Sequence, residues 1–190
     1  MTSPRMRRLA TKRLILEPQV AAHAAEMFRV LRDPALYEFE NAPPTSVEVL
    51  HERFTKLESR RSPDGSQQWL NWVIRSRRGG LIGFAQATVF PDRTAGIAYV
   101  LSSAFWGQGL ASEAVIAMGD ELCAHYDVAR FSAVLKRANT RSVRLLERLG
   151  FRLAADERIR DARLEAGEIL MLREGDTTFA PNRQAGSHRK

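Results

Sequence analysis

Apolar positions along the chain follow two spacings, and the spacing changes near the middle. Residues 11–16, Thr-Lys-Arg-Leu-Ile-Leu, read as an opening strand. Over 20–31 the apolar positions Val20, Ala24, Met27, Phe28 and Leu31 recur every three or four residues, which predicts a helix. Asp33-Pro34 ends it, because the residue before a proline is pushed out of the helical region. Ser46 caps a second helix over about 47–59, and Ser62-Pro63-Asp64-Gly65 is a turn. Three strands follow at 68–75, 80–90 and 94–101, separated by Arg78-Gly79-Gly80 and Pro91-Asp92-Arg93. Turns this short make antiparallel neighbours.

Beyond residue 101 the spacing lengthens again. It predicts a helix over 109–125, a strand at 130–135, a helix at 140–149 and strands near 151–160 and 166–173. The strand–helix–strand unit at 94–135 must pair its strands in parallel or splay them, since a helix makes the crossover. The expected architecture is α/β, a mixed sheet of about seven strands flanked by about four helices. Residues 1–10 read as a flexible start, 11–174 as the domain, and 175–190 as a polar tail without a period, expected to be mobile.

Composition narrows the setting. A chain of 190 residues, 44% hydrophobic and 27% charged, suits one domain with an ordinary core. No apolar run approaches the roughly 20 residues that span a bilayer. The basic N-terminus lacks the apolar stretch of a signal peptide, and the single cysteine, Cys123, allows no intrachain disulfide. Cytoplasmic placement without a membrane is the expectation. The net charge of +7 raises a nucleic-acid partner. Basic side chains scattered over a solvated surface account for the charge as well, so nucleic acid is not expected. His23, His51, His125 and His188 have no partners at metal-ligand spacing, so no metal is expected. Cys123, Trp69 and Trp72 read as packing residues, with one tryptophan available to line a pocket. A homodimer is left open.

Candidate chemistry begins at Trp106-Gly107-Gln108-Gly109-Leu110-Ala111-Ser112-Glu113, where a strand gives way to a helix. Two glycines around one residue let the backbone turn tightly and approach a ligand. The first helical turn then presents unpaired N–H groups and the positive end of the dipole, a combination that binds phosphate. The segment lacks the third glycine of a dinucleotide fingerprint and the Gly-Lys-Ser/Thr of a P-loop. Taken alone it is equally an ordinary turn. A second segment, Asn139 to Phe151, is an amphipathic helix capped by Asn139 or Thr140 and stopped by Gly150. Val143, Leu146 and Leu149 fall on its core face, and Arg141, Arg144 and Arg148 on the other; structure alone accounts for all of these.

Taken together with Thr11 to Pro18 and Ala98-Tyr99-Val100-Leu101, these two segments make the chain resemble the GNAT superfamily of N-acetyltransferases, and within it the RimJ/RimL-like branch. The resemblance implies an acetyl-CoA-dependent enzyme that moves an acetyl group directly to a primary amine, either a protein N-terminus or a small molecule. It implies a central sheet that splays between the strands at 94–101 and 130–135. Backbone amides of Gln108, Gly109, Leu110, Ala111 and Ser112 would hold the pyrophosphate of coenzyme A. Backbone groups of Val100, Leu101 and Ser102 would pair with its pantetheine arm, which the Asn139 side chain would also reach.

The sequence departs from the family at two places. Gly96 stands where many relatives carry a glutamate, and Leu146 where many carry a tyrosine that protonates the thiolate. The resemblance then points to Ser142 as the acid. Water or an N-terminal carboxylate would take the amine proton, with Tyr37, Glu38 and Glu40 bordering the acceptor. The alternative reading is a basic RNA- or ribosome-associating module that binds acyl-CoA without efficient transfer.

Overall fold

In chain order the strands are β1 (Leu9–Ala10), β2 (Leu14–Pro18), β3 (Gln68–Ser76), β4 (Leu81–Val89), β5 (Thr94–Leu101), β6 (Arg130–Lys136), β7 (Arg152–Leu153) and β8 (Glu168–Glu174). The helices are α1 (Ala24–Leu31), α2 (Val47–Leu57), α3 (Leu110–Tyr126) and α4 (Thr140–Arg148). The computed structural model describes residues 5–39, 42–155, 164–175 and Phe179. Its strands form one open sheet in the order β1-β2-β3-β4-β5-β6-β8-β7. Neighbours are antiparallel except β5 and β6, which are parallel.

The mixed sheet and its four helices match the expectation, and the strand count is one higher. The extra strand is β1. Leu9 pairs with Leu16, and the Trp72 indole N–H donates to the Arg7 carbonyl at 3.0 Å. Residues 7–10 are therefore tied down, where the polar, basic sequence suggested a loose end. Of the strand expected at 151–160, only Arg152–Leu153 is paired, and residues 156–160 lie outside the described part.

Alternation along β3 builds two cores. Trp72 and Ile74 point to the face covered by α3 and α4, with Leu14, Leu16, Met118, Leu122 and Phe131. Val73 points to the other face, among Met27, Leu50 and Phe54 of α1 and α2. Both expected caps are present: the Ser46 hydroxyl accepts from the Val49 N–H, and the Asn139 carbonyl oxygen from the Ser142 N–H, each at 3.2 Å. Among the described residues no helix is long and apolar enough to cross a membrane.

Phe179 belongs to the core, although it falls in the stretch 175–190 expected to be mobile. It is fully buried, meets Phe131 edge-on at 4.7 Å between ring centres, and lies under the Arg173 guanidinium at 3.7 Å. A Cβ on Gly119 would come within 2.3 Å of the ring, so the glycine in α3 is the recess it fills. The Phe179 N–H donates to Asp120 at 2.6 Å.

Two features position the site. β5 and β6 pair at only three positions, Thr94 with Arg130, Ala95 with Phe131 and Gly96 with Ser132, and then diverge. A short 3-10 turn, Ser103–Phe105, carries the chain from the diverging end of β5 into α3.

Candidate active site

Strand alternation decides which backbone groups face the gap. The Ser102 N–H donates to the Ile82 carbonyl at 2.8 Å and the Phe90 N–H to the Thr94 carbonyl at 2.9 Å. Even-numbered residues of β5 therefore bond to β4, and odd-numbered ones direct their main chain toward β6. Beyond Gly96 there is no β6 to meet them. Ile97, Tyr99 and Leu101 thus turn their N–H and C=O groups into the gap. The Leu101 carbonyl is taken by the Trp106 indole N–H at 2.7 Å, which leaves the Leu101 N–H as the donor at the end of the strand.

This narrows the trio Val100, Leu101 and Ser102. The main chain of Val100 faces Phe84 in β4. The Ser102 carbonyl accepts from the Phe105 N–H at 2.9 Å. Only Leu101 offers its backbone to the gap, because neighbouring residues of a strand point opposite ways.

The glycine loop was expected over residues 106–113, and the chain passes there from the 3-10 turn into α3. Gly107 and Gly109 both have φ of 72°, the left-handed region that a side chain strains. Gly109 precedes the first turn of α3 without a side-chain cap, and its carbonyl accepts the Glu113 N–H at 3.1 Å. The N–H groups of Leu110, Ala111 and Ser112 come before any intrahelical acceptor, so they remain for a ligand.

From behind, the loop is held by β2 and the residues before it. Thr11 donates to Glu113 Oε1 at 2.5 Å, the Arg13 N–H to the same oxygen at 2.8 Å, and Arg13 Nε to Oε2 at 2.6 Å. Arg13 Nη1 then donates to the Gln108 carbonyl at 2.8 Å. Burial works against the Glu113 carboxylate, but hydrogen bonds from Thr11 and Arg13 outweigh it and hold its pKa below the ordinary value.

Across the gap, α4 presents Asn139 and Ser142. The Asn139 oxygen caps the helix. Ser142 is half-buried in the first turn. Behind it stands Tyr99, whose side chain lies on the α3 and α4 face of β5. The phenol oxygen is buried without a well-aligned partner, and the Ser142 hydroxyl is the hydrogen-bonding group beside it. Burial pushes the Tyr99 pKa up to about 12, against the opposing effect of Ser142. Leu146 is a core residue, 1% exposed. Gly96 lies on the last paired rung beside Ser132. Neither position offers an acid or a base.

Of the three residues expected to border the acceptor, two are described. Tyr37 donates its hydroxyl to the Leu31 carbonyl at 2.6 Å and packs on the α1/α2 core. Glu38, 62% exposed, lies 3.7 Å from Arg141, whose guanidinium stacks 3.8 Å above the Trp106 ring. A chain of contacts thus runs from Glu38 through Arg141 and Trp106 to Leu101. Glu40 lies outside the described residues.

Sequence reasoning missed Asp33, which it read only as a helix stop. Its carboxylate accepts from the Ser103 N–H at 2.8 Å and the Ala35 N–H at 3.0 Å, and so ties the segment after α1 to the end of β5. Hydrogen bonds from Ser103 hold its pKa low. A cavity of about 400 Å³ opens there, lined by Arg29, Val30, Arg32, Asp33 and Ser102. A larger open groove, about 700 Å³, runs between β1 and α3 and contains no residue of β5 or α4. That groove is lined in part by Gly109, Ser112 and Glu113, at the start of α3.

The fold recurs in solved structures. RimL, a ribosomal L7/L12 α-N-protein acetyltransferase in complex with coenzyme A, superposes with a TM-score of 0.75 at 18% identity, covering 90% of this chain and 99% of that one. Mycobacterium smegmatis RimJ in complex with a CoA disulfide gives 0.69 at 24% identity, covering 85% and 81%. The ribosomal-protein-S5-alanine acetyltransferase from Vibrio fischeri gives 0.71 at 17% identity, covering 90% and 98%. No curated protein matches the chain by sequence. The acetyltransferase (GNAT) domain matches residues 13–152, from the Arg13 clasp to the end of the α4 unit, and the chain therefore belongs to the GNAT acetyltransferase family.

Proposed function

We propose that this acetyltransferase carries an acetyl group directly from acetyl-CoA to a primary amine, with Ser142 as the acid that meets the departing sulfur. The observation that carries this reading is the gap between β5 and β6. It has the Leu101 N–H on one wall, Asn139 and Ser142 on the other, and the uncapped start of α3 at its mouth. When bound, acetyl-CoA supplies the thioester that the amine attacks.

Each wall has a task. The amides of residues 110–112 bind the pyrophosphate, with the helix dipole behind them. The Leu101 N–H donates to the thioester oxygen, where negative charge develops during attack. The Ser142 hydroxyl gives its proton to the sulfur as the C–S bond breaks, and takes one from the nitrogen that has become positively charged. The acceptor enters from the side of Asp33, Tyr37 and Glu38. Water or the Glu38 carboxylate removes the first proton from the incoming ammonium. The likeness in fold to RimL, a ribosomal L7/L12 α-N-protein acetyltransferase, and to the ribosomal-protein-S5-alanine acetyltransferase supports placing protein N-termini first among the acceptors.

Calorimetry with acetyl-CoA and thiol release against a panel of amines test this. Peptide N-termini, polyamines, amino acids and aminoglycosides make up the panel. Binding with acceptor-dependent thiol release is the expected result. Binding of acetyl-CoA with no release for any amine would leave only the binding module and end the enzymatic reading.

A further inference from the structure

Thr11-Lys12-Arg13 belongs to the stretch that carries the family resemblance, yet neither the core nor the transfer step uses its polar side chains. Besides the local bonds between the Thr11 hydroxyl and the Leu14 backbone, the side chains of Thr11 and Arg13 reach the start of α3 and the loop before it. Thr11 and Arg13 grip the Glu113 carboxylate through three hydrogen bonds, and a fourth runs from Arg13 Nη1 to the Gln108 carbonyl at 2.8 Å. We propose that Arg13 is a positioning residue that sets the direction of the Gln108–Gly109 peptide and so builds the phosphate cradle from behind. The inference rests on the acetyl-CoA reading above.

The argument starts from the planarity of the peptide. A trans peptide points its C=O and its N–H in opposite directions. Arg13 draws the Gln108 carbonyl toward β2, so the Gly109 N–H faces away from β2, in the direction of the first-turn amides. Rotated the other way, the same peptide would aim its carbonyl dipole at an incoming phosphate. That rotation changes ψ of Gln108 and φ of Gly109, and Gly109, a glycine at φ of 72°, adopts either sign of φ at little steric cost. Orientation must then come from a partner, and Arg13 is the side chain bonded to that carbonyl.

Arg13 is itself immobilised. Its main-chain N–H and its Nε both end on Glu113, one turn inside α3, so strand, loop and helix move as one body. Its charge is matched by Glu113 at 2.6 Å, so it acts through the loop and not as a free cation for the ligand. Lysine cannot replace it. A single ammonium reaches either the carboxylate or the carbonyl, whereas the guanidinium fork reaches both.

The test separates the cradle from general stability by changing the donor. S-acetylpantetheine carries the thioester and the arm but no pyrophosphate. In Arg13→Ala, acetyl-CoA affinity by calorimetry should fall about tenfold to a hundredfold, the range for losing hydrogen bonds to charged groups. With S-acetylpantetheine, kcat/KM should stay at the parent value. Arg13→Lys should recover only part of the acetyl-CoA affinity. If Arg13→Ala proves unfolded by circular dichroism, Glu113→Gln supplies the same comparison, with a smaller loss confined to acetyl-CoA. Parent-like acetyl-CoA affinity, or equal losses with both donors, would overturn the proposal. Failure of the parent protein to bind acetyl-CoA would instead sink the reading on which it rests.

Discussion

Tyr99 stands beside Ser142 with its phenol neutral. With its pKa near 12, the phenol keeps its proton throughout the working range. Standing beside Ser142, it can orient the serine hydroxyl without changing its own charge. Replacing Ser142 with alanine should therefore lower turnover by roughly a hundredfold, the lower bound for a lost general acid. Acetyl-CoA affinity by calorimetry should hardly move. Unchanged turnover at saturating substrates would remove Ser142 from the mechanism. Tyr99→Phe should cost less, should leave the pH profile in place, and should add nothing in a Ser142→Ala background, since the two act as one unit. The serine entered only through the family resemblance, by its position in the RimJ/RimL-like branch. Tyr99 was visible only as part of a strand pattern, because its meeting with α4 depends on where β5 and β6 part.

Loop and helix α3 were legible as elements for a local reason. Two glycines at a strand–helix junction need a left-handed backbone, and Gly107 and Gly109 both have one. The clasp behind them was not legible, since Arg13 and Glu113 are 100 residues apart and no period links them. Nor was the choice among Val100, Leu101 and Ser102, which turns on the register with β4 set by the Phe90–Thr94 turn. The clasp has a pH signature. The Glu113 pKa is lowered in the folded chain, so the folded state favours the carboxylate. Its contribution to stability is complete above the unfolded-state pKa of about 4.3. It is lost as the pH falls through the lower folded value. Thermal melts of the parent should thus decline more steeply than those of Glu113→Gln between about pH 5 and pH 3. Parallel acid limbs would show that the network contributes nothing to the fold.

At the scale of the molecule, the α/β class and the order of elements followed from spacing alone, whereas the C-terminal anchor did not. Phe179 sits in a polar stretch without a period, and its recess is made by Gly119, a helical glycine that the sequence presents only as an interruption. Truncating this fully buried ring should be expensive. Phe179→Ala should destabilise the chain by about 3–5 kcal/mol, the usual range for an emptied aromatic site. Denaturant unfolding measures it directly. A change under 1 kcal/mol, on the order of a surface substitution, would mean that the ring is not seated in the core. Gly119→Ala should be destabilising for the complementary reason, since its methyl group would occupy the space of the ring.

The parting of β5 from β6 after Gly96 has a consequence for how the sheet behaves as a surface. Most sheets carry their unpaired backbone at the margins, where a foreign strand can attach and where charge, proline or short length wards it off. This sheet carries a further edge in its interior, along Ile97 to Leu101, with β4 on one side and α4 across the opening. Such a slot has width for one extended arm, and its walls keep out the flat face of another sheet. The protein thus keeps a strand-binding edge open without advertising it to its neighbours, and a guest that lies in the slot closes the ladder from within.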